Sequence, residues 1–164
     1  MKKLRLVLFE QCNRACPGCC NKDWDLKALP VCQDLRGWDE ILLTGGEPML
    51  YPQLILDTVA GIPKETKVIL YTAKVDDIDA VLTVLDGIDG ITVTLHDQED
   101  VWPFLTLVEI LRNMEETYSK SLRVNIFEGI IVFNQSGFSK WKIKSNMTWI
   151  KNCPLPQDEV LMRL

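Results

Sequence analysis

Short apolar runs that alternate with amphipathic stretches constrain the fold of this chain more than any other feature. The runs 4–9, 40–44, 68–72 and 91–95 are rich in leucine, isoleucine and valine and too short for helices, as expected of strands buried on both faces. Between them, Leu54, Ile55, Val59 and Ile62 recur at three- and four-residue spacings, so 52–61 reads as a helix that begins at Pro52 and stops near Gly61 and Pro63. Segment 76–85 sets Ile78, Val81, Leu82 and Leu85 on one face, with aspartates near its start to complement the helix dipole. Segment 104–118, carrying Phe104, Leu107, Val108, Leu111 and Met114, reads as the longest helix. Runs 122–127 and 130–133 flank Glu128 and Gly129 and read as one strand with a glycine irregularity, or as two strands. A short helical piece is expected at 31–36. Periodicity dissolves after Ser136, so 134–164 receives no element.

Strands alternating with helices imply βαβ units with right-handed crossovers, and therefore an α/β fold with a parallel sheet. Five to six strands are too few for a closed barrel of ~250 residues. The expected architecture is an open parallel sheet or a partial (β/α) barrel with helices on its outer face. A length of 164 residues suits a single domain over 1–164, with a core at about 4–133. No apolar run approaches the ~20 residues of a membrane span. Arg5 and Glu10 cut short the signal-like start, so a cytoplasmic chain without a membrane partner is expected. A net charge of −5 argues against a nucleic-acid partner.

Ligands of such sheets lie at the carboxyl ends of the strands. Cys12, Cys16 and Cys19, Gly45 to Pro48, Tyr71, Thr72, Thr94 and His96 all fall at that edge. Six cysteines without an export signal favour metal binding or catalysis over a disulfide framework. Three thiols in C-x3-C-x2-C spacing suit a soft metal: an iron–sulfur cluster, or zinc with Cys20 or Cys32 as fourth ligand. Cys20 directly follows Cys19 and is expected to project differently. Cys32 reads as a small buried hydrophobe. Cys153, in the segment without elements, is a candidate to approach the site, and the tail that carries it with Trp141 and Trp149 could either close the site or dock a partner.

Cys12, Cys16 and Cys19 after a first strand, followed by Gly45, Gly46, Glu47 and Pro48 after a second, resemble the radical S-adenosylmethionine superfamily. The resemblance spans residues 4–96. It implies a [4Fe–4S] cluster on the three cysteines, with the remaining iron chelated by the amino and carboxylate groups of S-adenosylmethionine. Gly45, Gly46, Glu47 and Pro48 would contact the methionyl amino group. The later strand ends would serve the ribose and carboxylate, and Tyr71, Thr72, Thr94 and His96 stand there by position, with Asn125 and Glu128 as lesser candidates. The implied reaction is reductive cleavage of the cofactor to a 5′-deoxyadenosyl radical that takes hydrogen from a substrate. Cys16, Pro17, Gly18, Cys19, Asn21, Lys22 and Trp24 further resemble the cysteine loop of glycyl-radical-enzyme activating proteins, especially the anaerobic ribonucleotide reductase activase. That likeness implies an oxygen-sensitive enzyme with an electron donor such as flavodoxin or ferredoxin and a glycyl-radical enzyme as partner. Modification of a peptide or small molecule is the alternative; a non-catalytic iron–sulfur or zinc module is a third reading.

Overall fold

The structure, a computed structural model, describes residues 1–133 and 135–164. Its strands are β1 (Lys3–Val7), β2 (Glu40–Thr44), β3 (Lys67–Thr72), β4 (Gly90–Leu95), β5 (Ser121–Phe127), β6 (Trp141–Met147) and β7 (Glu159–Arg163). They form one open sheet in the order β6-β5-β4-β3-β2-β1-β7, and every pairing is parallel. Helices α1 (Cys20–Asp23), α2 (Pro52–Ala60), α3 (Ile78–Asp86) and α4 (Val101–Arg112) lie in the connections. No helix among the described residues is long and apolar enough to cross a membrane.

Strand alternation separates the two faces. Leu4, Leu6, Ile41, Leu43, Leu70, Val93 and Val124 join Ile55 of α2, Val81 and Leu85 of α3 and Phe104, Leu107 and Leu111 of α4 in one cluster. Fully burying each such side chain contributes about 1.5–3 kcal/mol. Among the alternate positions Val7, Leu42, Ile69 and Thr92 are buried, whereas Arg5, Thr44, Tyr71, Thr94, Arg123, Asn125 and Phe127 are only half-buried and mostly polar. Arg5 Nε donates to Glu159 at 2.8 Å, and its guanidinium lies 5.0 Å from the Tyr71 ring centroid. The helices thus cover one face and leave the other for a site.

Local chemistry fixes several boundaries. The Asp77 side chain caps α3 by accepting from Ala80 N at 3.2 Å, and Asp89 accepts from Val68 N at 2.7 Å, holding the turn into β4. A Cβ on Gly90 would meet Ser121 O at 2.3 Å, so β4 and β5 approach only over a glycine. Helix α4 begins earlier and ends earlier than its apolar spacing suggests. Lys140 Nζ reaches the carbonyls of Leu111 and Arg112 at 3.2 Å and of Met114 at 3.1 Å, closing the helix there. A 3-10 turn, Glu115–Ser119, follows.

Three other expectations need correction. No helix forms at 31–36; Val31 instead bridges to Arg163, and Asp34 turns the chain by pairing with Arg36. Residues 130–133 do not extend β5, because Gly129 at φ +84° turns the chain away and leaves Ile131 and Phe133 exposed. The sheet has seven strands rather than five or six, since β6 and β7 form at its edges from the segment without apolar pattern. All but the two ends of β6 are exposed, and its lysines blunt an open edge as edge strands require.

Candidate functional site

The loop after β1 is held against the end of β2 by main-chain hydrogen bonds. Leu8 N donates to Thr44 O at 2.9 Å, Gly46 N to Phe9 O at 2.8 Å and Glu47 N to Gln11 O at 2.8 Å. A Cβ on Gly46 would stand 1.7 Å from Gln11 O, so glycine is the residue that fits. Gly45, at φ +149°, also lies where side chains are disfavoured. Its carbonyl accepts from Asn21 Nδ2 at 2.7 Å, tying α1 to this turn. Tyr51 OH donates to Gln11 Oε1 at 2.6 Å from the start of α2.

Glu47 is 3% exposed and engages both carboxylate oxygens within the protein. It accepts from the Thr72 hydroxyl, from Ala73 N at 2.9 Å and from Met49 N at 3.0 Å, so it locks the end of β2 to the end of β3. Burial nevertheless raises its carboxyl above the usual range, outweighing these bonds. Arg14, within the cysteine loop, spans to the start of α4. Its Nη1 donates to Asp100 Oδ2 at 2.8 Å, its Nη2 bonds the other oxygen, and Asp97 lies 3.6 Å away. Asp100 also accepts from His96 N at 2.8 Å, so the loop and the end of β4 share one carboxylate.

These ties converge on a cavity of about 210 Å³ at the carboxyl edge of the sheet. Cys12, Cys16, Cys19, Gly45, Gly46, Glu47, Tyr71, Thr72, Thr94 and His96 all line it. Pro48 does not line it; it is buried at the start of the 3-10 turn Pro48–Leu50. Asn125 Nδ2 donates to Thr94 Oγ1 at 3.4 Å, which places Asn125 beside the cavity wall rather than in it, and the exposed Glu128, whose N donates to Met147 O at 2.9 Å, does not line the cavity. A second hollow of about 340 Å³ lies beyond Arg14, against Lys74, Asp76, Asp97 and Asp100.

Part of the wall comes from Arg5, Arg14 and Ala73, which sequence reasoning did not select as site residues. Asn21 and Trp24 of the cysteine loop and Trp149 of the C-terminal segment line it too. Trp149 stacks on His96 with centroids 5.1 Å apart and planes 6° from parallel, and meets Phe127 at 4.4 Å. Gly18 makes this contact possible, because a Cβ there would lie 2.5 Å from Trp149. A pairing such as Arg14 with Asp100 leaves no local sequence signal.

Cysteine use differs from expectation at one pair. Cys20 and Cys153 form a disulfide with Cα atoms 5.3 Å apart, although a disulfide was not expected from the composition. Cys32 packs half-buried against the core, its Sγ 3.3 Å from Asp34 O. Cys20 is engaged in that disulfide and Cys32 does not line the cavity. The free thiols facing the cavity are Cys12, Cys16 and Cys19. Among the described residues, no three histidine, cysteine, aspartate or glutamate side chains are grouped closely enough to hold a metal ion, so the loop is not closed around one. Burial, and then the neighbouring Cys19, push the Cys16 thiol up, the condition that a bound cation would relieve.

Three buried side-chain polar atoms among the described residues lack a hydrogen-bond partner: Arg14 Nε, His96 Nδ1 and Thr92 Oγ1. The first two belong to cavity-lining residues, as expected of a site that completes its hydrogen bonding with a ligand. Burial and the Arg14 charge keep the His96 imidazole neutral to lower pH than usual. Three free thiols and a close glycine approach share this cavity, and thiols are the donors a soft metal cluster would use. No family model matches this chain, and neither does any curated protein.

Proposed function

We propose that the chain is a radical S-adenosylmethionine enzyme. The observation that carries this reading is the convergence of Cys12, Cys16, Cys19, Gly45, Gly46 and Glu47 on one cavity at the carboxyl edge of a parallel sheet. A [4Fe–4S] cluster bound with S-adenosylmethionine supplies reductive cleavage of the sulfonium and a 5′-deoxyadenosyl radical that removes hydrogen from a substrate. Cys12, Cys16 and Cys19 are the ligands in this reading. Gly45 and Gly46 let main chain approach the methionyl amino group, while Glu47 holds the motif against β3. Tyr71, Thr72, Thr94 and His96 supply the remaining polar contacts, and Arg14 anchors the cysteine loop. The polar face of the sheet then acts as the inner face of a partial barrel, with the helices outside.

The likeness of the cysteine loop supports a glycyl-radical enzyme as the substrate and flavodoxin or ferredoxin as the electron donor. The strap of residues 148–158 that carries Trp149 and Cys153 favours a second reading, in which the chain encloses a peptide or small molecule itself. Anaerobic reconstitution with iron and sulfide, followed by S-adenosylmethionine and reductant, should yield 5′-deoxyadenosine by mass spectrometry. A yield no greater than that of a Cys16→Ala variant sinks the radical reading. Absence of a glycyl-radical resonance after mixing with a candidate partner sinks the activase reading alone.

A further inference from the structure

Residues 148–158 connect β6 at one edge of the sheet to β7 at the other. On the way they contact the site three times. Trp149 packs on Gly18, His96 and Phe127; Trp24 Nε1 donates to Cys153 O at 3.2 Å; and Cys153 is bonded to Cys20. All the positive-φ residues other than glycine among the described residues lie in or beside this strap: Asn146 at +55°, Asn152 at +63° and Cys153 at +33°. Such backbone costs about 1–3 kcal/mol per residue and persists only where surrounding contacts hold it. With the strap in place the cavity measures about 210 Å³. Sites for drug-sized ligands run from about 300 to 1,000 Å³.

We propose that Cys20 and Cys153 are a redox-active pair that latches the strap over the site, and that a dithiol reductant opens it. This inference rests on the reading above only for the identity of the ligand admitted. A thiolate of the reductant attacks one sulfur of the pair, forming a mixed disulfide and expelling the other as a thiolate. The second thiol of the reductant then displaces the remaining sulfur. The reductant's dithiol becomes a disulfide, and Cys20 and Cys153 take up its two electrons and two protons. Both cysteines are half-buried, so a small dithiol or the exposed active-site dithiol of a redox protein can reach them. With the covalent tie gone, one indole hydrogen bond and the aromatic contacts remain at the site against the unfavourable backbone at Asn152 and Cys153, while Lys3 still holds Asp158 at the far end of the strap. Trp149 then swings out from His96, and the cavity admits the larger ligand.

Hydrogen exchange of the full-length chain, oxidised and after dithiol treatment, tests the latch without any cluster. Amides of 148–158 should exchange at least about tenfold faster after reduction, while those of β3 and β4 stay unchanged. Cys153→Ser and Cys20→Ser should show the fast rate without reductant. Differential alkylation should find Cys20 and Cys153 blocked before reduction and labelled after it. Equal strap exchange in the oxidised, reduced and serine forms overturns the latch, and so does free alkylation of both thiols in untreated protein. Because these readouts need neither cluster nor cofactor, their failure leaves the radical reading standing. Conversely, a strap that opens as expected in protein that never yields 5′-deoxyadenosine keeps the latch and removes the radical reading.

Discussion

The two faces of the sheet solve different problems. On the helix-covered face, Leu6, Leu43, Leu70 and Ile91 run across neighbouring strands in register and are at most 1% exposed. On the other face Arg5, Tyr71, Thr94 and Asn125 are half-buried, and part of their cover is a strap tied to the site by the Cys20–Cys153 disulfide, the Trp24 hydrogen bond and the stacked Trp149. Stability is concentrated on the first face. At the second, Arg14 Nε, His96 Nδ1 and Thr92 Oγ1 are buried without hydrogen-bond partners, as a site that awaits a ligand requires.

If that division is right, Phe104→Ala should have the largest effect on stability. Phe104 is fully buried between Phe138 and Trp141, and truncation should cost about 3–5 kcal/mol, read as a lower denaturation midpoint at unchanged slope. A cost below about 1 kcal/mol would show that α4 is not a main anchor of the covered face. Gly46→Ala should come next. It forces Gln11 away and breaks main-chain bonds between the cysteine loop and β2, costing about 2–4 kcal/mol and, in reconstituted protein, 5′-deoxyadenosine formation. Retention of both would mean that the loop does not need its close approach.

Trp149→Ala should separate the faces most cleanly. Its indole is 37% exposed, so stability should fall by only about 1 kcal/mol. Labelling of Cys19 by a bulky thiol reagent should nevertheless accelerate, and an unchanged rate argues against the indole as cover. The smallest effect is a pH dependence. His96 is held neutral below its ordinary value near 6.5, so on acidification the unfolded chain takes up a proton that the folded chain refuses. The contribution is present above that value and is lost as pH falls through the lower folded one. Stability of wild type should therefore decline relative to His96→Gln on acidification, and parallel pH profiles would remove His96 from the buried wall.

How much of this was legible follows the same division. The strands 40–44, 68–72 and 91–95 agree with the structure to within a residue, because their central positions, such as Ile41 to Leu43 and Val68 to Leu70, are buried on both faces and must be apolar. Strand β6 was not legible, since an exposed edge strand selects lysine and serine as a loop does. The end of α4 depends on Lys140, far from it in sequence, so no local pattern could mark it.

At the site, Cys12, Cys16, Cys19, Gly45 and Gly46 were legible because thiol spacing and glycine identity carry chemical meaning along the chain. The roles of Arg14 and Asp100, of Gly18 under Trp149 and of Cys20 with Cys153 were not. The sequence by itself determined an α/β chain with a parallel sheet and a thiol-bearing loop at its carboxyl edge, because those depend on periodicity and residue type. Only the tertiary structure decided which polar groups share the cavity and which segment covers it. Those contacts join residues distant in sequence, whose distances are set by chain topology rather than by local pattern.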